Sequence, residues 1–184
     1  PYAASKAASD HLIRSYFKTF DFPAITTNCS NNYGPHQFPE KLIPLMISRA
    51  LKNEPLPVYG DGSNVRDWIY VQDHCVGVDQ VRLKGVPGEV YNLGGAAERG
   101  NLTVVQALLR LLDKPNSLIQ FVPDRLGHDF RYAIDFEKAK TELDWTPQVS
   151  FEEGLERTVA WYQAHSDWLA AIADGSYRKM VQKN

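Results

Sequence analysis

Apolar and polar positions change period repeatedly along this chain, and each change marks an element. From Tyr2 to about Phe20, the residues Ala7, Ile13, Tyr16 and Phe17 fall on or near one face, which predicts a helix. Pro23 ends that stretch. Ala24 to Cys29 is a short β-type run, and Ser30-Asn31-Asn32-Tyr33-Gly34-Pro35 reads as a turn-rich loop. Leu42, Leu45, Met46 and Ala50 form the stripe of a helix over 41–52, with Pro44 early enough to be tolerated. Pro57 to Tyr59 is extended, Gly60-Asp61-Gly62-Ser63 is a turn, and Val65 to Val71 is a strand. Asp73 is placed to cap a helix reaching Lys84. Val90 to Leu93 and Ile119 to Val122 read as short strands on either side of an apolar helix over 102–112. Asp135 is placed to cap a helix ending at Leu143. Ser150-Phe151-Glu152-Glu153 is a capping-box pattern that opens a last helix carrying Leu155, Val159 and Tyr162. Helical and extended segments alternate, so the pattern predicts an α/β fold.

Composition narrows this little. The chain has 184 residues, 43% hydrophobic and 23% charged, as in ordinary globular proteins. Twenty basic residues nearly balance 22 acidic ones, and a net charge of -2 leaves no basic footprint for nucleic acid or an anionic membrane. No apolar run approaches the roughly 20 residues of a membrane span. Cys29 and Cys75 lie far apart without histidines or cysteines at metal-ligand spacing. They are expected to be buried, reduced thiols of a cytoplasmic protein.

The first chemical candidate is the pair Tyr2 and Lys6. Four residues apart on a helix, a phenol and an ammonium share one face. A lysine beside a tyrosine favours the phenolate, which suits acid–base work near neutral pH. Three small residues between them leave room for a flat ligand near the backbone. An ordinary solvated helix start has the same sequence, so the pair alone decides nothing. The loop around Asn31 and Asn32 follows a strand, where α/β folds place ligands, although its residues also suit a plain turn. Arg66 sits on a strand beside aromatics. Its guanidinium matches phosphate, with a surface ion pair to Asp67 as the plainer reading. Tyr59 suits stacking on a base or filling a core. Asp124-Arg125-Leu126-Gly127-His128-Asp129 adds an arginine and a histidine to the same anion, or forms a polar surface loop. No glycine-rich turn with dinucleotide spacing follows any strand. Taken together, two arginines, asparagines and aromatics flanking a Tyr-Lys pair point to a nucleotide-diphosphate ligand.

These motifs, in this order, resemble the nucleotide-sugar dehydratase/epimerase branch of the extended short-chain dehydrogenase/reductase family. The resemblance runs nearly end to end. It rests on Tyr2-Ala3-Ala4-Ser5-Lys6, Ser30 to Pro35, Phe38 to Pro44, Asn64-Val65-Arg66-Asp67-Trp68, Tyr91 to Gly95 and Asp124 to Asp129. The later motifs are closer to dTDP-hexose dehydratases than to epimerases. A non-catalytic nucleotide-sugar-binding module and an epimerase remain the alternatives.

The resemblance implies a remnant of an NAD-binding Rossmann fold, its last strands and helices, plus a small α/β substrate-binding domain. The first would span 1–35 and 65–100, the second 36–64 and 101–184. It implies oxidation at the sugar C4, elimination of water and return of hydride to C6. Tyr2 would be the base, and Lys6 would hold the nicotinamide ribose. Asn32 would lie near the nicotinamide of NAD, and Asn31 near the sugar diphosphate. Lys41 and Leu42 would touch the nucleotide sugar, while Pro57 and Tyr59 flank the base. Arg66 and Arg125 would bind the diphosphate, assisted by Asn101 and His128, with Tyr177 a further nucleotide contact. No metal is implied. Leu126 replaces the family's usual proline. The family's glycine-rich turn and its Asp-Glu pair lie upstream of its tyrosine, so this chain corresponds to the C-terminal half. It is expected to be inactive alone and to self-associate, as a homodimer or otherwise, through its opening helix.

Overall fold

The computed structural model describes residues 1–176, and the expected contact at Tyr177 lies outside them. The elements run α1 (Tyr2–Phe20), β1 (Thr26–Cys29), β2 (Asn31–Tyr33), α2 (Leu42–Leu51), β3 (Leu56–Tyr59), β4 (Val65–Tyr70) and α3 (Val71–Lys84). They continue β5 (Val90–Leu93), β6 (Glu98–Gly100), α4 (Asn101–Leu111), β7 (Ile119–Val122), β8 (Arg131–Tyr132), α5 (Glu137–Leu143), α6 (Phe151–Ala164) and α7 (Ser166–Ala173). The α/β fold expected from the alternation is therefore present.

Two sheets organise the molecule. The first is the parallel pair β1–β5, with Thr26 opposite Val90 and Cys29 opposite Leu93. In the second, β4 pairs in parallel with β2 and β8 and antiparallel with β6. A separate parallel pair, β3–β7, lies at the edge of the larger core. The chain crosses from the first sheet to the second twice, at Ser30 between β1 and β2, and at 94–97 between β5 and β6. Gly95 serves the second crossing because a Cβ there would stand 1.8 Å from the Trp68 carbonyl oxygen.

The larger core forms where three amphipathic helices meet the second sheet. Met46, Ile47 and Ala50 of α2, Val104, Val105, Leu108 and Leu109 of α4, and Leu155, Val159 and Tyr162 of α6 are buried together. Their spacings, i, i+1, i+4 in α2 and α4 and i, i+4, i+7 in α6, put each set on one helical face. The Glu153 N–H donates to Ser150 Oγ at 3.2 Å, so Ser150 caps α6, while the Glu153 carboxylate pairs with Arg157 rather than closing the expected capping box. A smaller cluster joins Tyr91 and Leu93 of β5 to Val81, Leu143 and Trp145. Helix α1 belongs to neither and buries no residue. Its contact with the rest includes the half-buried Phe17, whose ring lies over Gly88.

Several local expectations change. The segment after Cys29 is not only a turn, because 31–33 pairs with β4 as a strand. Asp73 does not cap α3; Tyr70 holds the cap position, and the Asp73 carboxylate accepts from the Gln148 and Val149 N–H groups at 3.0 and 2.9 Å. Helix geometry placed it within α3, where a sharp turn of the chain offered it two free donors. Asp135 does accept from the Glu137 N–H at 2.8 Å. Both cysteines are free, but Cys29 is half-buried and Cys75 is exposed, because α3 packs through Asp73, Gly77 and Val81 and leaves Cys75, Val76 and Val78 outward.

Candidate active site

The turn 60–63, the loop 124–129 and the start of α4 converge near Arg66, the second residue of β4. Gly62 makes the turn possible with φ 75°, and its carbonyl accepts from the Leu102 N–H at 3.0 Å. The Asn101 N–H donates to the Asn64 carbonyl at 2.9 Å, and Asn64 Nδ2 donates to the Asp129 carbonyl at 3.2 Å. Arg66, Arg125, Leu126, Gly127, His128 and Asp129 then line one cleft of about 320 Å³.

The cleft is built to hold positive charge in reserve. Arg66 donates to the carbonyls of Asp129 and Val65, each at 2.7 Å, and forms no ion pair with Asp67. Burial pulls the guanidinium below its ordinary value; Asp129 opposes that and Arg125 adds to it. Both arginines therefore repel one another across a space that an anion would relieve. Arg125 lies over the Tyr59 ring at 5.0 Å, and His128 meets the same ring edge-on at 6.3 Å. His128 Nδ1 donates to Asp124 at 2.7 Å, which holds that carboxyl below its usual range. Asn101 Oδ1 is buried and has no donor among the described residues.

A second group gathers at the carboxyl end of β1. Asn32 Nδ2 donates to Cys29 Sγ at 3.3 Å, and the Tyr132 hydroxyl donates to the Cys29 carbonyl at 3.0 Å. Burial raises the Cys29 thiol, while the Asn32 hydrogen bond and the Lys6 charge act against it. Burial also raises Tyr132, with smaller contributions from Cys29, Asp67 and Tyr2. Asn32 and Tyr132 thus meet at Cys29, and the charge of Lys6 is felt there. Tyr2 is 78% exposed, one turn from Lys6. Asn32 Oδ1 is buried and has no partner among the described residues. A donor such as a carboxamide would satisfy it, so the residues present fit the nicotinamide end of NAD. They include nothing for its pyrophosphate.

Asn31 stands between the two groups, opposite Trp68 on the neighbouring strand. By strand geometry its Cα is about 8 Å from that of Arg66. Pro57 lies in β3 between buried Leu56 and Val58, two residues before Tyr59. Lys41 is exposed and paired with Glu40 at 2.9 Å, and Leu42 packs on the larger core. No hydrogen bond or ion pair joins those two to the cleft among the described residues. Sequence reasoning missed Tyr132, Ser30 and the burial of Asp67. The alternation of β4, with its run of apolar neighbours after Arg66, was the available signal for Asp67.

Comparison with known proteins agrees with this architecture. The family described as GDP-mannose 4,6 dehydratase matches residues 1–158. The dTDP-glucose 4,6-dehydratase of Xanthomonas campestris pv. campestris (strain ATCC 33913) is 56% identical over 187 residues, covering 97% of this chain and 53% of that protein. The crystal structure of dTDP-glucose 4,6-dehydratase from Bacillus anthracis in complex with NAD superposes with a TM-score of 0.88 at 53% identity. It covers 91% of this chain and 53% of that one. The enzyme of the same name from Streptomyces venezuelae, with NAD bound, gives 0.89 at 48% identity over 91% of this chain and 52% of that one. The chain spans about half the length of the relatives it matches. With the match extending over residues 1–158, this chain belongs to the GDP-mannose 4,6 dehydratase family.

Proposed function

We propose that this chain supplies the nucleotide-sugar-binding half, and the Tyr2–Lys6 pair, of a dTDP-glucose 4,6-dehydratase. The observation that carries the reading is the meeting of Arg66 and Arg125 in one polar cleft beside Tyr59. Two guanidiniums with no carboxylate partner among the described residues match a diphosphate, and an aromatic ring beside them suits a base. Arg66 and Arg125 bind the diphosphate, aided by His128 and Asn101, with Pro57 and Tyr59 flanking the base. Asn31, Lys41 and Leu42 contact the sugar side. Tyr2 takes the proton from the sugar C4 hydroxyl, while Lys6 and Asn32 hold the nicotinamide end. NAD, when bound, accepts and returns the hydride. Residues 1–35 and 65–100 form the dinucleotide side and 36–64 and 101–184 the sugar side. The relatives' names favour dTDP-glucose over the GDP-mannose of the family description.

No helix among the described residues is long and apolar enough to cross a membrane. Two free thiols suit a reducing compartment, so we place the protein in the cytoplasm. Leu12, Tyr16 and Phe20 are exposed on α1, a surface we assign to self-association into dimers.

A thermal-shift titration tests the site. A ligand that binds only the folded chain raises its melting temperature. dTDP should raise it, GDP should raise it less, and Arg66→Ala should abolish the dTDP effect. An unchanged dTDP shift in Arg66→Ala overturns the assignment. Incubation with NAD and dTDP-glucose should give no 4-keto-6-deoxy product, because this chain has no glycine-rich dinucleotide turn.

A further inference from the structure

Asp124 is an acid set beside the cations of an anion cleft, where its charge works against a diphosphate. Its geometry gives it a different task. Asp124 Oδ1 accepts from the Arg125 N–H and from His128 Nδ1, each at 2.7 Å. A carboxylate held below its usual range is an acceptor only, so Nδ1 carries a hydrogen. The turn 60–63 backs the carboxylate, since a Cβ on Gly60 would stand 3.5 Å from Asp124 Oδ2. His128 is thereby fixed in one tautomer.

A neutral imidazole has one donor nitrogen and one acceptor nitrogen. With the hydrogen on Nδ1, neutral His128 has a bare Nε2, and no hydrogen bond reaches Nε2 among the described residues. A bare nitrogen repels a phosphate oxygen, because both are acceptors. Only the imidazolium, a donor at both nitrogens, holds Asp124 and a phosphate at once. The charged groups around the ring set when that proton is taken. Asp124, Arg125 and Asp129 share its loop, Arg66 of β4 lines the same cleft, and the Tyr59 ring of β3 meets it edge-on at 6.3 Å. The two guanidiniums oppose a further positive charge, and a bound diphosphate cancels that opposition.

We propose that Asp124 is a positioning residue that locks the His128 tautomer, so that a nucleotide diphosphate enters this cleft together with one proton. This rests on the nucleotide-sugar reading of the cleft.

The proton can be counted. Calorimetry of the full chain with dTDP-glucose, in two buffers of different ionisation enthalpy, gives the protons taken up per ligand at each pH. dTDP-glucose is the probe because a terminal phosphate, as in dTDP, has a pKa near about 6 and exchanges a proton of its own. Uptake should approach one proton at its maximum between about pH 6 and 9. Affinity should be full where free His128 is already charged, and fall by up to about tenfold per pH unit above that. In Asp124→Ala, neutral His128 is free to turn a hydrogen to the phosphate. Binding should weaken, but uptake should drop below about half a proton. His128→Gln, whose amide donates without charge, should lose the uptake likewise. A maximum below about half a proton in the unmodified chain overturns the proposal, and so does uptake that stays above it in either variant. If the unmodified chain does not bind dTDP-glucose, the nucleotide-sugar reading falls. Nitrogen NMR of the free chain then judges the lock by itself, as it does where a variant binds too weakly for calorimetry. Neutral His128 should carry its hydrogen on Nδ1 in the unmodified chain and mainly on Nε2 in Asp124→Ala. Any other distribution overturns the lock.

Discussion

Helices α4 and α1 show how differently two amphipathic segments fare in one molecule. The 11 residues of α4 bury Val104, Val105, Leu108 and Leu109, whereas the 19 residues of α1 bury none. Both have apolar residues at helical spacing, and both are helices. The difference lies in what each face meets. α4 is pressed between α2, α6 and β6. α1 stands over the narrow β1–β5 pair with a cleft between them, lined by His11, Ile13, Phe17 and Val90 among others. Helix formation followed from local sequence, and burial followed from neighbours.

The largest effect expected is a test of that asymmetry. Leu108→Ala should cost about 2–5 kcal/mol of unfolding free energy, since it opens a cavity in a fully buried cluster. Leu12→Ala, at a site 60% exposed, should cost no more than about 0.5 kcal/mol. Urea denaturation at low protein concentration measures both. If Leu12→Ala becomes costly only as concentration rises, with a matching mass increase by light scattering, a second copy covers α1. Equal costs at all concentrations would break the comparison.

The next effect concerns what joins the bare side to the packed one. Asp73 lies in α3, beside the smaller cluster, and its carboxylate holds the Gln148 and Val149 N–H groups just before α6. The Trp145 Nε1–H also donates to the Asp73 carbonyl at 3.2 Å. Asp73→Ala leaves two donors without an acceptor and should cost about 3 kcal/mol, from the desolvation penalty of unmade bonds. Asp73→Asn keeps one oxygen and should cost less. Native-state amide exchange should quicken at Gln148 and Val149 first. A uniform change over the whole chain would show that the two sides already unfold as one unit.

The elements were legible because their signals are local. Pro23 ending α1, Pro44 in the first turn of α2 and Ser150 capping α6 each act within a few residues. The strand at 31–33 was not legible, because its partner β4 lies more than 30 residues on and its own residues favour turns. The site divides in the same way. Arg66, Arg125, His128 and Tyr59 announced themselves by type, and the cleft brings them together. An ion pair between Arg66 and Asp67 was the plainer alternative, yet successive strand residues point to opposite faces. That alternation turns Arg66 to the cleft and Asp67 to the crossings. Tyr132 comes from a two-residue strand that no periodicity could reveal.

The smallest expected effect asks whether α3 sits with the packed side or the bare one. His74 is half-buried, and burial alone lowers its pKa from the ordinary 6.5. Between the lowered folded value and 6.5, the unfolded chain binds more protons than the folded one. Stability therefore rises with pH through that window. The contribution is complete above 6.5 and is lost as pH falls through the folded value. His74→Gln cannot take up that proton, so the slope of unfolding free energy between pH 7 and 5 should flatten relative to the unmodified chain. Urea titrations at several pH values read the difference directly. An unchanged slope would mean that water reaches His74 in solution. α3 would then be as loosely covered as α1, and the packed region would stop at the second sheet.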